Sequence, residues 1–441
     1  MRNRVSVLTL LCFLLSVDVG LAQTDQNKLG LIFKNIYGPN GLLVDSEAVL
    51  APGDREHFPH FNNAFQTSFS AFNTALASQL TAVPLPSPAS GFTYQFDAAT
   101  GGFTRTTQSF GPILADRAET IGRRKLSVSF NYQRFTFNAI EGVDLSAVPA
   151  VFTHDSRELG GGRLDVVTTL NSIDATVGQF TTSVNYGVHD RIDVSVAVPF
   201  VRTTLSLTSN ATIQRLGTTD PAIHFYRSAS GGRGNSKSFT SEGTRSGIGD
   251  LIFRVKGTAY RGENVALAVG TDFRAPTGDE ENLLGSGAPG VKPFAAVSFS
   301  HKAIAPHVNV GYQWNGNSVL AGDIAAQRKA DLPDQFLYTA GVDVGATSRL
   351  TIAFDVLGQR IINSPRLVAS NDSFSALSGS PQTFPNIQFR QDQSFNVVNG
   401  AIGFKVNPAP GLLLGFNLLF KMNDSGLRDK VTPLFGFEYS F

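Results

Sequence analysis

Hydrophobic and polar residues alternate along most of the chain with a period of two. The C-terminal end has the clearest case, where aromatic residues occupy one parity and small or polar residues the other: Phe435, Phe437, Tyr439 and Phe441 against Gly436, Glu438 and Ser440. Successive side chains of a β-strand point to opposite faces, so a period of two is typical of a strand with one apolar face.

The alternation predicts twelve strands. Their residues are 124–138, 172–188, 191–207, 247–260, 264–275, 292–300, 304–315, 335–345, 349–361, 393–406, 411–422 and 431–441. Along the apolar runs of these strands, such as Ile192 to Phe200, one parity holds no charged residue, and the charges within these runs fall on the other parity. A charge on a lipid-facing position near the bilayer midplane costs about 2 to 4 kcal/mol, so this exclusion is what lipid would impose.

The connections between the strands alternate between short and long. A soluble β-sandwich also has alternating strands, but it has no reason to alternate its loop lengths. Outer-membrane barrels have an even strand number, short periplasmic turns and longer outer loops. We therefore predict an all-β fold, a 12-stranded antiparallel transmembrane β-barrel over residues 123–441, in which the start of the first strand and the end of the last strand both lie in the periplasm.

The first 22 residues have the form of a secretory signal peptide. Arg2 and Arg4 precede an apolar run at residues 5–17, and the small residues Gly20 and Ala22, three and one positions before Gln23, suit a cleavage site there. The run is shorter than the roughly 20 residues that a membrane-spanning helix needs. We expect export through a cleaved signal peptide to the outer membrane of a Gram-negative cell.

Residues 23–122 lack the period of two. A helical spacing of three and four residues predicts a Phe-rich amphipathic helix at about 60–81, with one apolar stripe formed by Phe61, Phe65, Phe69, Phe72, Leu76 and Leu80. A 12-stranded barrel has a narrow lumen, too small for a compact domain of this length. The segment is therefore predicted either to insert partly as a plug or to lie at the periplasmic mouth. A small hairpin is predicted near residues 92–103.

Composition and motifs exclude several function classes. The 441 residues are 42% hydrophobic and only 16% charged, with a formal net charge of +1. The sequence therefore lacks the excess of basic residues expected of a nucleic-acid-binding protein. The single cysteine, Cys12, lies in the predicted signal peptide. The run 285–290 (GSGAPG) matches the dinucleotide-binding pattern G-x-G-x-x-G, but it carries a proline in a long loop between strands and does not lead from a buried strand into a helix. We therefore predict neither enzyme activity nor a cofactor. A barrel-embedded hydrolase would need a serine and a histidine side by side on the outward parity, where the sequence has no such pair.

The inward parity supplies the candidate functional residues. The lumen-lining candidates are Asp250, Arg254, Lys256, Asp272, Arg274, His307, Asp343 and Asp355. Charges of both signs on adjacent strands can pair as structural ion pairs, or form a constriction that selects solutes. An acidic loop of Asp279, Glu280 and Glu281 is a weak metal candidate, and a solvated loop is preferred because the spacing is not that of an EF-hand.

Three short motifs resemble a known family. Residues 247–251 (GIGDL), 273–279 (FRAPTGD) and 311–316 (GYQWNG) look like outer-membrane proteins associated with the meta-cleavage pathway of phenol degradation, a group similar to fatty-acid transporter-like channels for hydrophobic solutes. The resemblance covers roughly residues 110–441 and carries over no binding residue. It implies a porin-like channel for passive uptake of small, often hydrophobic or aromatic, solutes.

The alternative function is a structural or surface-interaction barrel with a closed lumen, whose outer loops bind partners. In either case the expected partners are outer-membrane lipid and, for the channel, a small-molecule solute. The sequence leaves the oligomeric state open.

Overall fold

The wall of the molecule is a single closed sheet of twelve strands. The structure is a computed structural model that describes residues 28–38, 40–45, 61, 72–77, 91–97, 102–105, 109–112, 114–154 and 164–441. The strands are β1 (Leu126–Ile140), β2 (Val166–His189), β3 (Ile192–Gln214), β4 (Ser236–Ile248 and Leu251–Arg261), β5 (Val265–Ala275), β6 (Gly290–Phe299), β7 (Ile304–Asn315), β8 (Gln335–Thr347), β9 (Leu350–Phe374), β10 (Gln382–Ala409), β11 (Leu412–Lys421) and β12 (Val431–Ser440).

Each strand pairs antiparallel with its neighbour in the chain, and β12 pairs with β1 to close the barrel. The register at the closure runs from Leu434 opposite Gln133 to Ser440 opposite Ser127. The predicted 12-stranded antiparallel barrel is therefore confirmed. Because closure gives each strand two neighbours within the barrel, it removes the long unpaired edges that an open sheet exposes, although the outer part of β4 (Ser236–Ile248) pairs with β3 alone.

The two faces of the wall differ as the alternation predicted. The exposed large hydrophobic residues lie mainly on the outward parity, among them Phe180, Phe200, Phe273, Trp314, Phe354, Phe404 and Phe437. The inward parity is buried and polar, with Asn131, Gln179, Ser298, Gln313 and Asn417 as examples. Polar residues buried inside and apolar residues exposed outside invert the arrangement of a soluble protein.

The barrel has one end with short turns and one end with long connections. The short-turn end carries the turns after β2, β4, β6, β8 and β10. At the other end, which we call the long-loop end, three of the predicted loops (139–171, 208–246 and 362–392) are shorter than expected. The strands continue into them: β2 begins at Val166, β3 runs to Gln214 and β9 runs to Phe374.

These extensions were missed because their outward residues are mostly Thr, Ser and Asn, so no hydrophobic alternation marks them. Threonine nevertheless favours strands, and the backbone pairing with the neighbouring strand continues above the apolar zone.

Smaller elements lie at both ends of the barrel. Most of them cover the long-loop end, whereas the hairpin Tyr94–Asp97/Gly102–Arg105 lies towards the short-turn end, where the Tyr94 amide donates to the carbonyl of Ile121. The smaller elements are the strands Tyr94–Asp97, Gly102–Arg105, Val143–Asp144, Val148–Thr153, Tyr226–Arg227, Arg233–Gly234, Asn317–Asp323, Arg328–Asp331 and Leu427–Asp429, the 3-10 turns Leu29–Leu31 and Glu280–Asn282, and the helix α1 (Ile32–Asn35). The hairpin predicted near residues 92–103 is confirmed by Phe96 pairing with Phe103. Among the described residues, the structure contains no helix with the length and apolar character to cross a membrane.

Described parts of the N-terminal segment pack against the inner side of the long-loop end. Leu29, Phe33 and Leu42 are fully buried in one cluster with residues of β3, of the connection 316–334 and of the β9–β10 hairpin. The backbone amide of Leu29 donates to Asn282, and the Asn73 side-chain amide donates to the carbonyl of Gly30. The largest hydrophobic cluster of the molecule is therefore located here and not in the middle of the barrel.

Candidate functional site

Residues 109–112 and 114–122 cross the barrel interior, and we call them the lumen segment. Its backbone is bound by side chains from several sides of the wall. Asp193 of β3 accepts from the Ile121 amide (3.0 Å), and Thr351 of β9 accepts from the Phe110 amide (2.9 Å). The other wall groups that bind its backbone include Ser298 of β6 and Asn309 of β7. The lumen segment therefore spans the interior instead of following one wall.

Two lysines bind carbonyl groups of the lumen segment from opposite walls. Lys256 of β4 donates to the carbonyls of Arg117 (3.0 Å) and Glu119 (2.9 Å). Lys405 of β10 donates to the carbonyls of Phe110 (3.2 Å) and Pro112 (2.7 Å). An irregular backbone buried in a barrel has carbonyl groups that need donors. The long ammonium side chains supply them.

Arg254 of β4 is the centre of an ion-pair network in the lumen. Its guanidinium makes two bonds to Asp272 of β5, of 2.5 and 2.7 Å, and a third of 2.7 Å to Asp116 in the lumen segment. Lys292 of β6 also contacts Asp272 at 2.8 Å. Two parallel bonds to one carboxylate are the strongest geometry available to arginine. The pairing expected between β4 and β5 is thus present, and it extends to the lumen segment.

Asp250 and Arg274 organise the connection between β5 and β6. The Asp250 carboxylate accepts from the Ser286 amide (2.8 Å) and hydroxyl (2.6 Å), and its nearest Arg274 contact is 3.8 Å. Arg274 donates to the carbonyl of Ala288 and to the side chain of Asn315. Both residues fold a loop back over the lumen.

His307 of β7 lies between two carboxylates. Its Nε2 is 2.6 Å from Asp355 of β9, and its Nδ1 is 3.2 Å from Asp343 of β8. Asp343 also accepts a hydrogen bond from Ser109 and lies 3.9 Å from Arg117, both in the lumen segment. All eight lumen candidates are buried on the inward face, and each has a polar or charged partner.

The predicted plug helix is only partly within the described residues. Residues 72–77 are helical, and Phe72 and Leu76 are buried there. Phe61 is also buried, but it pairs with His154 as an isolated β-bridge, so the helix does not include it. Phe65, Phe69 and Leu80 lie outside the described residues.

The acidic loop is used for local structure. Asp279 caps the 3-10 turn Glu280–Asn282 by accepting from the Asn282 amide. Glu280 contacts Ser318 and Lys329, and Glu281 contacts Lys28 at 2.7 Å. Within the described residues, the structure contains no cluster of three or more potential metal-ligating side chains.

Sequence reasoning did not identify the lumen segment as the partner of these charges. Its residues have neither a helical nor a strand period, because their backbone groups bind side chains instead of one another. The alternation places Lys405 on the inward parity, yet no local pattern indicates which carbonyl groups its side chain reaches. No pattern in the sequence identifies Asp116 or Arg117 as a functional residue.

The closed wall, apolar outside and polar inside, defines a membrane-spanning β-barrel protein. A sequence model of the family described as "Putative MetA-pathway of phenol degradation" matches residues 150–351, which confirms the expected resemblance. No curated protein matches the chain.

Comparison with solved structures finds matches among outer-membrane proteins at low sequence identity. An outer membrane channel from Pseudomonas putida F1 has 13% identity and a TM-score of 0.43, over 74% of this chain and 98% of that one. A Pseudomonas aeruginosa FadL homologue has 10% identity and a TM-score of 0.34, over 80% and 94%. The Pseudomonas putida toluene transporter TodX has 9% identity and a TM-score of 0.24, over 81% and 95%.

Proposed function

We propose that the protein is an outer-membrane channel that takes up small, uncharged solutes passively, with the lumen segment restricting the path. The observation that carries this proposal is the closed 12-stranded wall with a polar interior crossed by a side-chain-bound segment. An interior of buried polar groups is what a solute path requires, and a fully packed apolar core would have none.

The apolar outer belt supports insertion in a bilayer. On β3 the outward residues are apolar from Ile192 to Phe200, a stretch of nine residues. A strand crosses a bilayer in about 9 to 11 residues, so the belt has the right height. Barrels of the outer membrane carry short turns on the periplasmic side. The long-loop end would then face outwards.

The paired charges favour an uncharged cargo. Arg254 and Asp272 neutralise each other, and His307 lies between two carboxylates. A lumen with few unpaired charges presents little net field to an ion, whereas unpaired rings of one sign select for charge. The matching family's link to phenol degradation suggests small aromatic molecules as the solute class.

Single-channel recording in planar bilayers tests the channel. Lys256→Met and Lys405→Met each remove a donor to the lumen segment, so we expect a larger conductance than that of the wild-type protein. Lys302→Met, at the short turn between β6 and β7, is the matched control and is expected to leave the conductance unchanged. If neither the wild type nor the two lysine variants conducts, the channel proposal fails. If only the conductance increase is missing, the restricting role of the segment fails.

A second arm tests the solute class. Addition of phenol to an open channel is expected to produce transient interruptions of the ion current, because a molecule in a narrow lumen excludes ions. Glucose at the same concentration serves as the comparison. Interruptions by glucose and none by phenol would contradict the proposed cargo.

One observation favours the alternative of a closed, surface-interaction barrel. The lumen segment binds several strands at once, and β2, β3, β9 and β10 project beyond the apolar belt. A wall of this height offers a large outer surface to partners. Absence of conductance in all variants, with the barrel still folded, would support this alternative.

A further inference from the structure

The outward surface of β1 to β4 changes from apolar to polar over three successive rows, each row being a set of paired residues across the four strands. Neighbouring rows are two residues apart on each strand, or about 7 Å. The row nearest the short-turn end, the apolar row, consists of Tyr132, Phe180, Phe200 and Ile248, and all four are exposed. It continues onto β12 through Phe435. This row ends the apolar belt towards the long-loop end.

The next row, the arginine row, contains Arg134, Gly178, Arg202 and Ser246. Both arginines are exposed on the outward face. Adjacent strands are about 4.8 Å apart, so the backbones of the two arginines are roughly 10 Å apart, on either side of Gly178. Two cations thus flank a position without a side chain, directly above the lipid belt.

Gly178 leaves a notch between the arginines. A Cβ atom at this position would lie 3.6 Å from the Tyr132 hydroxyl oxygen, so the Tyr132 side chain extends from the apolar row to the glycine. The notch therefore lies beside the Tyr132 hydroxyl group and between two strands that each carry an exposed arginine on the outward face. The hydroxyl group and the two guanidinium groups can each donate a hydrogen bond to a phosphate oxygen.

The third row, the threonine row, consists of Thr136, Thr176, Thr204 and Thr244. The hydroxyls of Thr204 and Thr244 are within hydrogen-bond distance of each other at 3.0 Å. Four hydroxyl groups in a line can both donate and accept, and such a surface suits the hydroxyls of a sugar.

The acidic groups near these rows do not occupy the notch. Asp174 and Glu242 share the outward face, but they lie one row beyond the threonine row. Asp429 approaches from the β12 side, where it accepts from the Thr136 amide at 3.0 Å and from the Thr432 hydroxyl at 2.7 Å. The electrostatic character of the arginine row is therefore positive.

We propose that these three rows bind the headgroup of a phosphorylated glycolipid of the surrounding membrane. Its acyl chains would lie against the apolar row, its phosphate between Arg134 and Arg202, and its sugar hydroxyls on the threonine row. Charge complementarity and continuity with the lipid belt both favour a lipid over a protein partner. The inference needs the protein in a membrane, but it does not need the barrel to conduct.

Native mass spectrometry of the detergent-purified protein tests the proposal, with lipid A carrying both phosphates as the probe. The double variant Arg134→Gln/Arg202→Gln is expected to bind lipid A about tenfold more weakly than the wild type. Arg191→Gln removes an exposed arginine at the short-turn end and is the matched control. Equal binding by the wild type and the double variant, or an equal loss in the control, would overturn the proposal.

Two further arms define the headgroup chemistry. Dephosphorylated lipid A is expected to bind weakly to the wild type, and so is phosphatidylglycerol, which has a phosphate but no sugar. Equal binding of phosphatidylglycerol and lipid A would overturn the assignment of a sugar headgroup. Millimolar inorganic phosphate is expected not to displace the lipid. Displacement by it would indicate a free-anion site in place of a lipid site.

Gly178→Leu fills the notch and keeps both arginines, so it is expected to weaken lipid A binding too. The gel mobility shift on heating reports whether each variant is folded. Single-channel conductance of Arg134→Gln/Arg202→Gln is expected to equal that of the wild type. Loss of lipid binding with unchanged conductance separates this inference from the channel proposal.

Discussion

At the level of single residues, the lumen is organised around close contacts that only small side chains permit. Gly270 of β5 faces inwards under the ring of Phe294, and the guanidinium carbon of Arg254 lies 4.8 Å from the centre of that ring. The glycine thereby allows the aromatic ring and the arginine to stack on the wall, which holds Arg254 where it reaches both Asp272 and Asp116.

Gly270→Ala should destabilise the barrel by about 1 to 3 kcal/mol, as overpacking usually does. The new Cβ atom would lie 2.5 Å from Cζ of Phe294 and 2.8 Å from the carbonyl oxygen of Val255, and the backbone oxygen cannot move aside. Urea unfolding in detergent micelles measures the change. Gly415→Ala is the control, since its nearest neighbours are 3.9 Å away. Equal stability of the two variants would refute the packing argument.

Tyr37 is a second residue whose environment sets its chemistry. Its ring packs edge-on against Phe152 and Phe239, and its hydroxyl lies 2.7 Å from that of Ser209, above the apolar belt. Burial raises the pKa of the Tyr37 phenol to about 12, although the hydrogen bond with Ser209 opposes the shift. The phenol is neutral in the folded protein at a pH where a free tyrosine ionises.

The contribution of the buried, neutral Tyr37 to the free energy of unfolding should be fully present below pH 10. It should decline as the pH rises from 10 to about 12. Over that interval the unfolded chain releases the proton and the folded one retains it, so unfolding is favoured by about 2 kcal/mol at the upper end. In urea unfolding, Tyr37→Phe should not show this decrease in the free energy of unfolding between pH 10 and 12. Tyr260→Phe, at an exposed position, is the control. Identical alkaline profiles for the wild type and Tyr37→Phe would contradict the prediction.

At the level of elements, the β9–β10 hairpin bends where its pairing is irregular. The register shifts between Ile361 and Arg366, and Asn363 and Asp392 both have positive φ angles there, of 54° and 56°. Beyond the bend, Arg366 bonds to Glu141 at 2.8 Å and ties the hairpin to the connection after β1. Asn and Asp tolerate this backbone conformation better than β-branched residues do.

Asn363→Val should loosen the outer part of this hairpin, because a β-branched residue with positive φ costs roughly 1 to 2 kcal/mol. Hydrogen–deuterium exchange of the amides at 364–390 should accelerate about tenfold. Asn363→Gly, which accepts the angle, should exchange at the wild-type rate. Protection in the valine variant equal to that in the glycine variant would argue against strain at this bend.

Elements also differ in how well the sequence predicts them. Strands of the apolar belt were predicted within a few residues, because lipid imposes strict alternation there. The outer parts of β2, β3, β4, β9 and β10 were predicted as loops, because outward side chains that face water do not need to be apolar. The lumen segment had no periodic signal, since its backbone binds side chains from distant parts of the chain.

At the level of the whole molecule, the proposed orientation places the two barrel ends on opposite sides of the membrane. The β9–β10 hairpin tip, with the 69%-exposed Leu377, lies at the long-loop end, and Lys302 lies at the short-turn end. The chain has one cysteine, Cys12, inside the predicted signal peptide, so introduced thiols can be labelled selectively.

Leu377→Cys should react with a membrane-impermeant maleimide on intact cells, because the long-loop end faces outwards. Lys302→Cys should react only after the outer membrane is permeabilised, and it serves as the matched control. Labelling is read from the mass of the purified protein. The reverse pattern would mean that the barrel is inserted in the opposite orientation.

The all-β class, the number of wall strands, the face of each strand that meets lipid and the inward location of the lumen charges could all be read from the alternation of apolar and polar residues. These features follow from local periodicity, which a bilayer enforces residue by residue. Three other features required the folded barrel: Lys256, Lys405 and Arg254 bind the lumen segment, His307 lies between Asp343 and Asp355, and Arg134 and Arg202 flank Gly178. Such neighbours are set by barrel closure and strand register, which bring together residues far apart in the chain.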